Sequence, residues 1–165
     1  TGRRKNAMPD KDGPPALPVI RRILLALLLL GLLGTGTELL LLDHFAGPWQ
    51  LIPLVLIALG IVVFTWHVVQ RGRATVRALQ ATMVLFVMGG LTGFVLHYRG
   101  NMEFQLEIDP SIGGLDLFLR VMRAKAPPAL APGSMIHLGL LGLAYAYRHP
   151  ALAGPRSDTT NRSLT

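Results

Sequence analysis

The chain is 165 residues long, 51% hydrophobic and only 15% charged, with a mean hydropathy of +0.46, a net charge of +7 and no cysteine. Such a composition leaves too few polar residues to cover a soluble globule, so the bilayer is the expected solvent for much of the chain. The missing thiols exclude disulfides, thiolate metal sites, CxxCH haem attachment and cysteine catalysis, and the bases flank apolar runs instead of lining a soluble core, which points to phospholipid headgroups and away from nucleic acid.

Residues 1–22 mix charges with proline and glycine and read as a disordered basic tail. Arg21 and Arg22 precede an apolar run as a signal peptide's first bases do, but the run is too long for such a segment and no small-residue cleavage site follows it. It reads as a retained anchor. The expected transmembrane domain, 23–147, begins with that run as span 23–42, followed by spans 51–69 and 78–96. Each is long enough to cross a hydrocarbon core of about 30 Å at about 1.5 Å per residue. A fourth apolar stretch, 135–147, is too short by itself and spans only if it begins near 130 with Pro132 in its first turn. Residues 148–165 are polar and aperiodic, a second disordered tail.

Between the third and fourth spans lies an expected outer loop, 97–129. In its first part Phe104, Leu106 and Ile108 alternate with Glu103, Gln105, Glu107 and Asp109, the pattern of a half-buried strand. A strand there leaves an unpaired edge, so those three apolar residues are a candidate interface with a partner or a second copy. From 111 to 126 apolar residues recur every three or four positions, predicting an amphipathic surface helix capped by Ser111, with Asp116 and Arg120 as an i,i+4 pair. The expected fold is thus an all-α membrane protein of four transmembrane helices, with an outer loop carrying one short strand and one surface helix.

Positive charge predicts the orientation. Arg3, Arg4, Lys5, Lys11, Arg21 and Arg22 precede the first span, Arg71, Arg73 and Arg77 lie between the second and third, and Arg148, Arg156 and Arg162 follow the fourth. Lys/Arg excess marks the cytoplasmic side, which predicts an inner-membrane protein with both termini cytoplasmic.

Glu38, in the outer third of the first span, stands out because a carboxylate in hydrocarbon is expensive unless protonated, paired or near water. Thr92, His97 and His137 are candidate partners at similar depth. His44, His97 and His137 gather near the outer face and are the candidate cofactor residues for a haem b or a divalent metal, although interface residues of this type also occur for amphipathic reasons alone. Gly89 and Gly93 form a GxxxG pair suited to close helix approach, within the chain or with another. No GxSxG, P-loop or dinucleotide fingerprint occurs. The leading expectation is a non-catalytic subunit or assembly partner of a larger membrane complex, without cofactor, contacting lipids and either other subunits or itself. The alternatives are a haem- or metal-binding electron-transfer protein using the outer histidines and a proton-coupled carrier using Glu38.

Overall fold

A computed structural model of the chain describes residues 16–43, 47–124 and 129–153. Among these the structure is helical throughout, with no strand: α1 (Ala16–Leu41), α2 (Pro48–Val69), α3 (Arg73–Ile108), α4 (Gly114–Met122), α5 (Leu130–Ala146) and a closing 3-10 turn at Pro150–Leu152. Three of them, α1, α2 and α3, are long and apolar enough to cross a membrane, and α5 is a shorter apolar helix of 17 residues. Large apolar side chains point outward along these helices, Leu30, Val55 and Val62 being 63 to 68% exposed. That is the pattern of helices whose outer faces meet lipid.

Helix starts follow local chemistry. Pro48 occupies the first turn of α2, where its missing N–H is no loss, and Pro132 sits in the first turn of α5 for the same reason. α1 begins at Ala16, so 16–22 of the expected disordered tail is helical, with Pro18 in the opening turn. Residues 1–15 and 154–165, the remainder of the two expected tails, lie outside the described residues.

Sequential neighbours pack antiparallel. Gly60 on α2 faces Leu32 of α1 and Phe86 of α3, and a Cβ on Gly89 of α3 would lie 2.8 Å from Leu56 of α2. α5 returns between α1 and α3, so that Gly31 meets Leu138 and the Met83 carbonyl would be 2.7 Å from a Cβ on Gly139. Leu28, Leu32, Leu79, Met83 and Phe86 form the fully buried centre. Arg21 of α1 reaches the carbonyls of Tyr147 and Arg148, which brings the two ends of the described chain to the same end of the molecule. That end also holds Arg71 and Arg73; Trp49, His97 and Tyr98 lie at the far end.

The tightest seam is α3 against α5. A Cβ on Gly90 would lie 2.7 Å from the Pro132 carbonyl and 2.6 Å from Ile136, and Gly142 meets Met83. Gly93, by contrast, faces Pro132 at an ordinary 3.4 Å. The GxxxG pair is therefore used inside the chain, with Gly90 rather than Gly93 making the closest approach.

The expected strand is overturned. α3 runs 36 residues without interruption to Ile108, about 54 Å at 1.5 Å per residue, far more than the hydrocarbon thickness of about 30 Å requires. Its last turns therefore project past the apolar segment. Asn101, Met102, Gln105, Leu106 and Asp109 are half-buried, whereas Glu103, Phe104, Glu107 and Ile108 are exposed. These two sets repeat at three- and four-residue intervals, so Leu106 turns inward while Phe104 and Ile108 share an exposed face. Continuing the helix satisfies each backbone group within the segment, which a lone strand cannot do.

The surface helix is also shorter than expected. α4 starts at Gly114, behind Gly113, and Ser111 does not cap it. The Ser111 amide and hydroxyl instead donate to Asp109 Oδ1 at 3.2 and 2.6 Å. Those bonds, with Arg120 Nη1 3.9 Å from Oδ2, hold the Asp109 carboxyl below the usual carboxylate value. Arg120 thus pairs with Asp109, where the sequence predicted Asp116. The α4 face bearing Val121 is turned onto α3, the Phe118 ring lies tilted at 42° to that of Tyr98 with centroids 6.3 Å apart, and Leu115 stays exposed.

Candidate functional site

The sequence candidates separate into three places. Thr92 and His97 line a cavity of about 160 Å³ at the far end, walled by Trp49, Leu56, Gly93 and Pro132. His137 is exposed in a groove between α1 and α5, beside Leu27 and Gly31. Glu38 is exposed in a shallow groove made by α1 alone. His44 lies outside the described residues. Among the described residues no group of three or more His, Asp or Glu is placed to hold a metal ion. Phe104 and Ile108 are exposed on projecting α3, Leu106 is half-buried, and Gly89 and Gly93 face Leu56 and Pro132.

The most developed polar site is elsewhere, at the basic end. His67, on the last turn of α2, is 1% exposed, and Thr75 at the start of α3 is 2% exposed. His67 Nδ1 lies 2.8 Å from Thr75 Oγ1, and its Nε2 is 2.5 Å from the Tyr145 hydroxyl of α5. The same hydroxyl is 3.4 Å from Nε2 of His149, whose Nδ1 accepts the Ala151 amide at 3.2 Å. The three rings meet edge-on or tilted, with centroids 5.4 to 5.7 Å apart.

One proton assignment satisfies the whole chain of contacts. A backbone N–H can only donate, so Ala151 makes His149 Nδ1 an acceptor and places that imidazole's proton on Nε2. Nε2–H then donates to Tyr145, the Tyr145 O–H donates to His67 Nε2, and His67 Nδ1–H donates to Thr75 Oγ1. Thr75 completes the series, its one hydroxyl proton shared between the Gln70 and Gly72 carbonyls, 3.1 and 2.9 Å away, while its oxygen accepts the Gly72 amide at 3.2 Å. In this assignment every member is neutral and the directions follow from the Ala151 amide. No described buried side-chain nitrogen or oxygen lacks a partner.

One arginine, Arg21, frames this cluster. Arg21 Nη2 donates to the Arg148 carbonyl at 2.9 Å and to Tyr147 at 3.3 Å, closing the carboxyl end of α5 where a cation is favoured. Burial and the Arg21 charge both push the His149 imidazole below its ordinary pKa of 6.5. Trp66 joins the same end, its indole N–H bonded to Gln70 Oε1 at 3.0 Å. The arrangement ties α2, α3, α5 and the closing turn together through polar groups shielded from solvent.

This cluster is absent from the sequence candidates. His67 and His149 read from sequence as inner-face histidines and Tyr145 as an interface aromatic, because His67 and Tyr145 are 78 residues apart. The i,i+4 spacing of Tyr145 and His149 was the one local signal available. The chain matches no protein-family model, no curated protein and no solved structure.

Proposed function

We propose that this chain is a four-span protein of the inner membrane, with both termini on the cytoplasmic side, that serves as a non-catalytic subunit or assembly partner of a larger membrane complex. The antiparallel return of α5 supports the fourth crossing, since it carries the end of the described chain back to Arg21. Clustering of Arg21, Arg71, Arg73 and Arg148 at that end supports the orientation. The four helices then form one bundle, and the histidine cluster acts as its internal clasp.

The observation that carries the assembly reading is the overshoot of α3. A continuous helix of 36 residues projects beyond its apolar segment, is braced by α4, and leaves Phe104 58% and Ile108 62% exposed on one face among carboxylates. A rigid helical post with an i,i+4 apolar pair is suited to helix-in-groove contact with another subunit. Mild-detergent purification of the tagged chain from its own membrane tests this directly. Stoichiometric partners are expected with the parent chain and absent with the double variant Phe104→Asp, Ile108→Asp. Identical partner sets for the two would refute the role of α3.

A further inference from the structure

α1 commits one side to its own molecule and leaves the other bare. Leu28, Leu32 and Leu39 are buried, Gly31 meets Leu138, and a Cβ on Gly36 would lie 3.1 Å from Ile57. Gly34, Thr37, Glu38 and Leu41 follow Leu30 by four, seven, eight and eleven residues, a spacing that groups them on one face, with Glu38 at its edge, seven residues beyond Gly31. All are exposed, Leu41 by 79%, and a Cβ on Gly34 would meet nothing within 4 Å. The side chains of Thr37 and Glu38 make no hydrogen bond or ion pair with any described residue. A carboxyl surrounded by Leu33, Leu41 and Leu42 within an apolar span needs a donor, and no described residue supplies one.

We propose that this face docks a second copy of the chain, α1 against α1, with the Thr37 hydroxyl of each copy donating to the Glu38 carboxyl of the other. Two copies inserted in the same orientation place their first helices parallel, related by a twofold axis along the membrane normal. An isologous contact of that kind requires a surface complementary to itself, and a donor beside an acceptor on one face provides it. Gly34, one turn before Glu38, removes the side chain that would hold the two backbones apart. A foreign helix bringing a base would satisfy Glu38 but leave the Thr37 hydroxyl unused. The inference rests on α1 lying in the bilayer, as in the function proposed above.

The absence of native cysteine makes the test direct. Leu41→Cys and, as a control on the outward face of α2, Val62→Cys are introduced separately into the full chain, reconstituted in phospholipid vesicles and oxidised. Leu41→Cys is expected to give a disulfide-linked dimer and Val62→Cys none. In the Leu41→Cys background, Glu38→Leu and Thr37→Val should each lower the dimer fraction about tenfold, whereas Glu38→Gln, still an acceptor, should preserve it. A Leu41→Cys chain that stays with the vesicles through an alkaline wash yet remains monomeric overturns the dimer and leaves the membrane reading intact. Equal cross-linking at Val62, or a Glu38-dependent adduct in the native membrane with a protein of different mass, overturns it as well. Loss of the chain to the alkaline wash refutes the bilayer placement of α1 and the dimer with it.

Discussion

His67 and Thr75 close the turn between α2 and α3 from opposite sides, His67 Nδ1 lying 2.8 Å from Thr75 Oγ1 with both residues almost fully buried. Thr75 already bonds the backbone of Gln70 and Gly72, so the hydroxyl is fixed by the turn and in turn fixes the tautomer of the ring. That leaves His67 Nε2 as an acceptor for Tyr145 and makes the two contacts of His67 interdependent. The local turn and the packing of α5 are therefore coupled through a single imidazole.

Removing the Tyr145 hydroxyl leaves His67 Nε2 buried without its donor, and removing His67 leaves the Tyr145 O–H without its acceptor. Tyr145→Phe and His67→Ala should each destabilise the chain by about 1 to 3 kcal/mol, measured by unfolding in mixed micelles. The double variant should cost less than the two single losses added together. A coupling of about 1 kcal/mol is expected for residues in one network; simple additivity would show that the bond contributes nothing of its own.

The pH dependence follows from His149. Its imidazole is held below the ordinary value of 6.5, first by burial and then by Arg21, so the unfolded chain takes up the proton before the folded one does. Stability is therefore complete above about pH 6.5 and falls as pH drops through the interval between the unfolded and folded values. The charged ring also loses the Ala151 amide, because Nδ1 can no longer accept. Unfolding midpoints measured between pH 7.5 and 5 should decline for the parent chain, and the decline should be shallower in His149→Gln.

Two glycines on α3 should respond in opposite ways to the same change. At Gly90 an added Cβ runs into the Pro132 carbonyl at 2.7 Å and the Ile136 amide at 3.0 Å, backbone atoms that cannot turn aside. Gly90→Ala should cost about 2 kcal/mol by forcing α3 and α5 apart. At Gly100 the new methyl meets nothing within 4 Å, and Gly100→Ala should add about 0.5 to 1 kcal/mol through helix propensity. Thermal unfolding followed by circular dichroism separates the two signs.

The long apolar runs were legible because crossing a membrane is a property of a segment's own length and composition. Helix phase was not, since it depends on what each face meets: Gly89 and Gly93 form the recognisable motif, but Gly90 sits nearest to Pro132 and Ile136. Likewise Glu38 and the far-end histidines were visible as costly polar residues, while the depth of His97, His137 and Glu38 along the chain could not reveal that they occupy separate grooves. The basic-end cluster escaped notice because Thr75 and Tyr145 have no special meaning until α2, α3 and α5 are placed side by side. A hydrogen-bond network made between helices carries no local spacing.

The segment 101–109 offers the sharpest contest between two periodicities. Alternation of Phe104, Leu106 and Ile108 with polar neighbours satisfies a period of two, whereas the half-buried set Met102, Gln105, Leu106 and Asp109 satisfies a helical one. Phe104 and Leu106 are the deciding pair, since a strand puts them on one face and α3 puts them on different ones. Spin labels placed singly from 101 to 109 should show accessibility minima at 102, 105, 106 and 109, with label 104 mobile. Equal protection of labels 104, 106 and 108 would restore the strand, shorten α3 and remove the helical post on which Phe104 and Ile108 are presented.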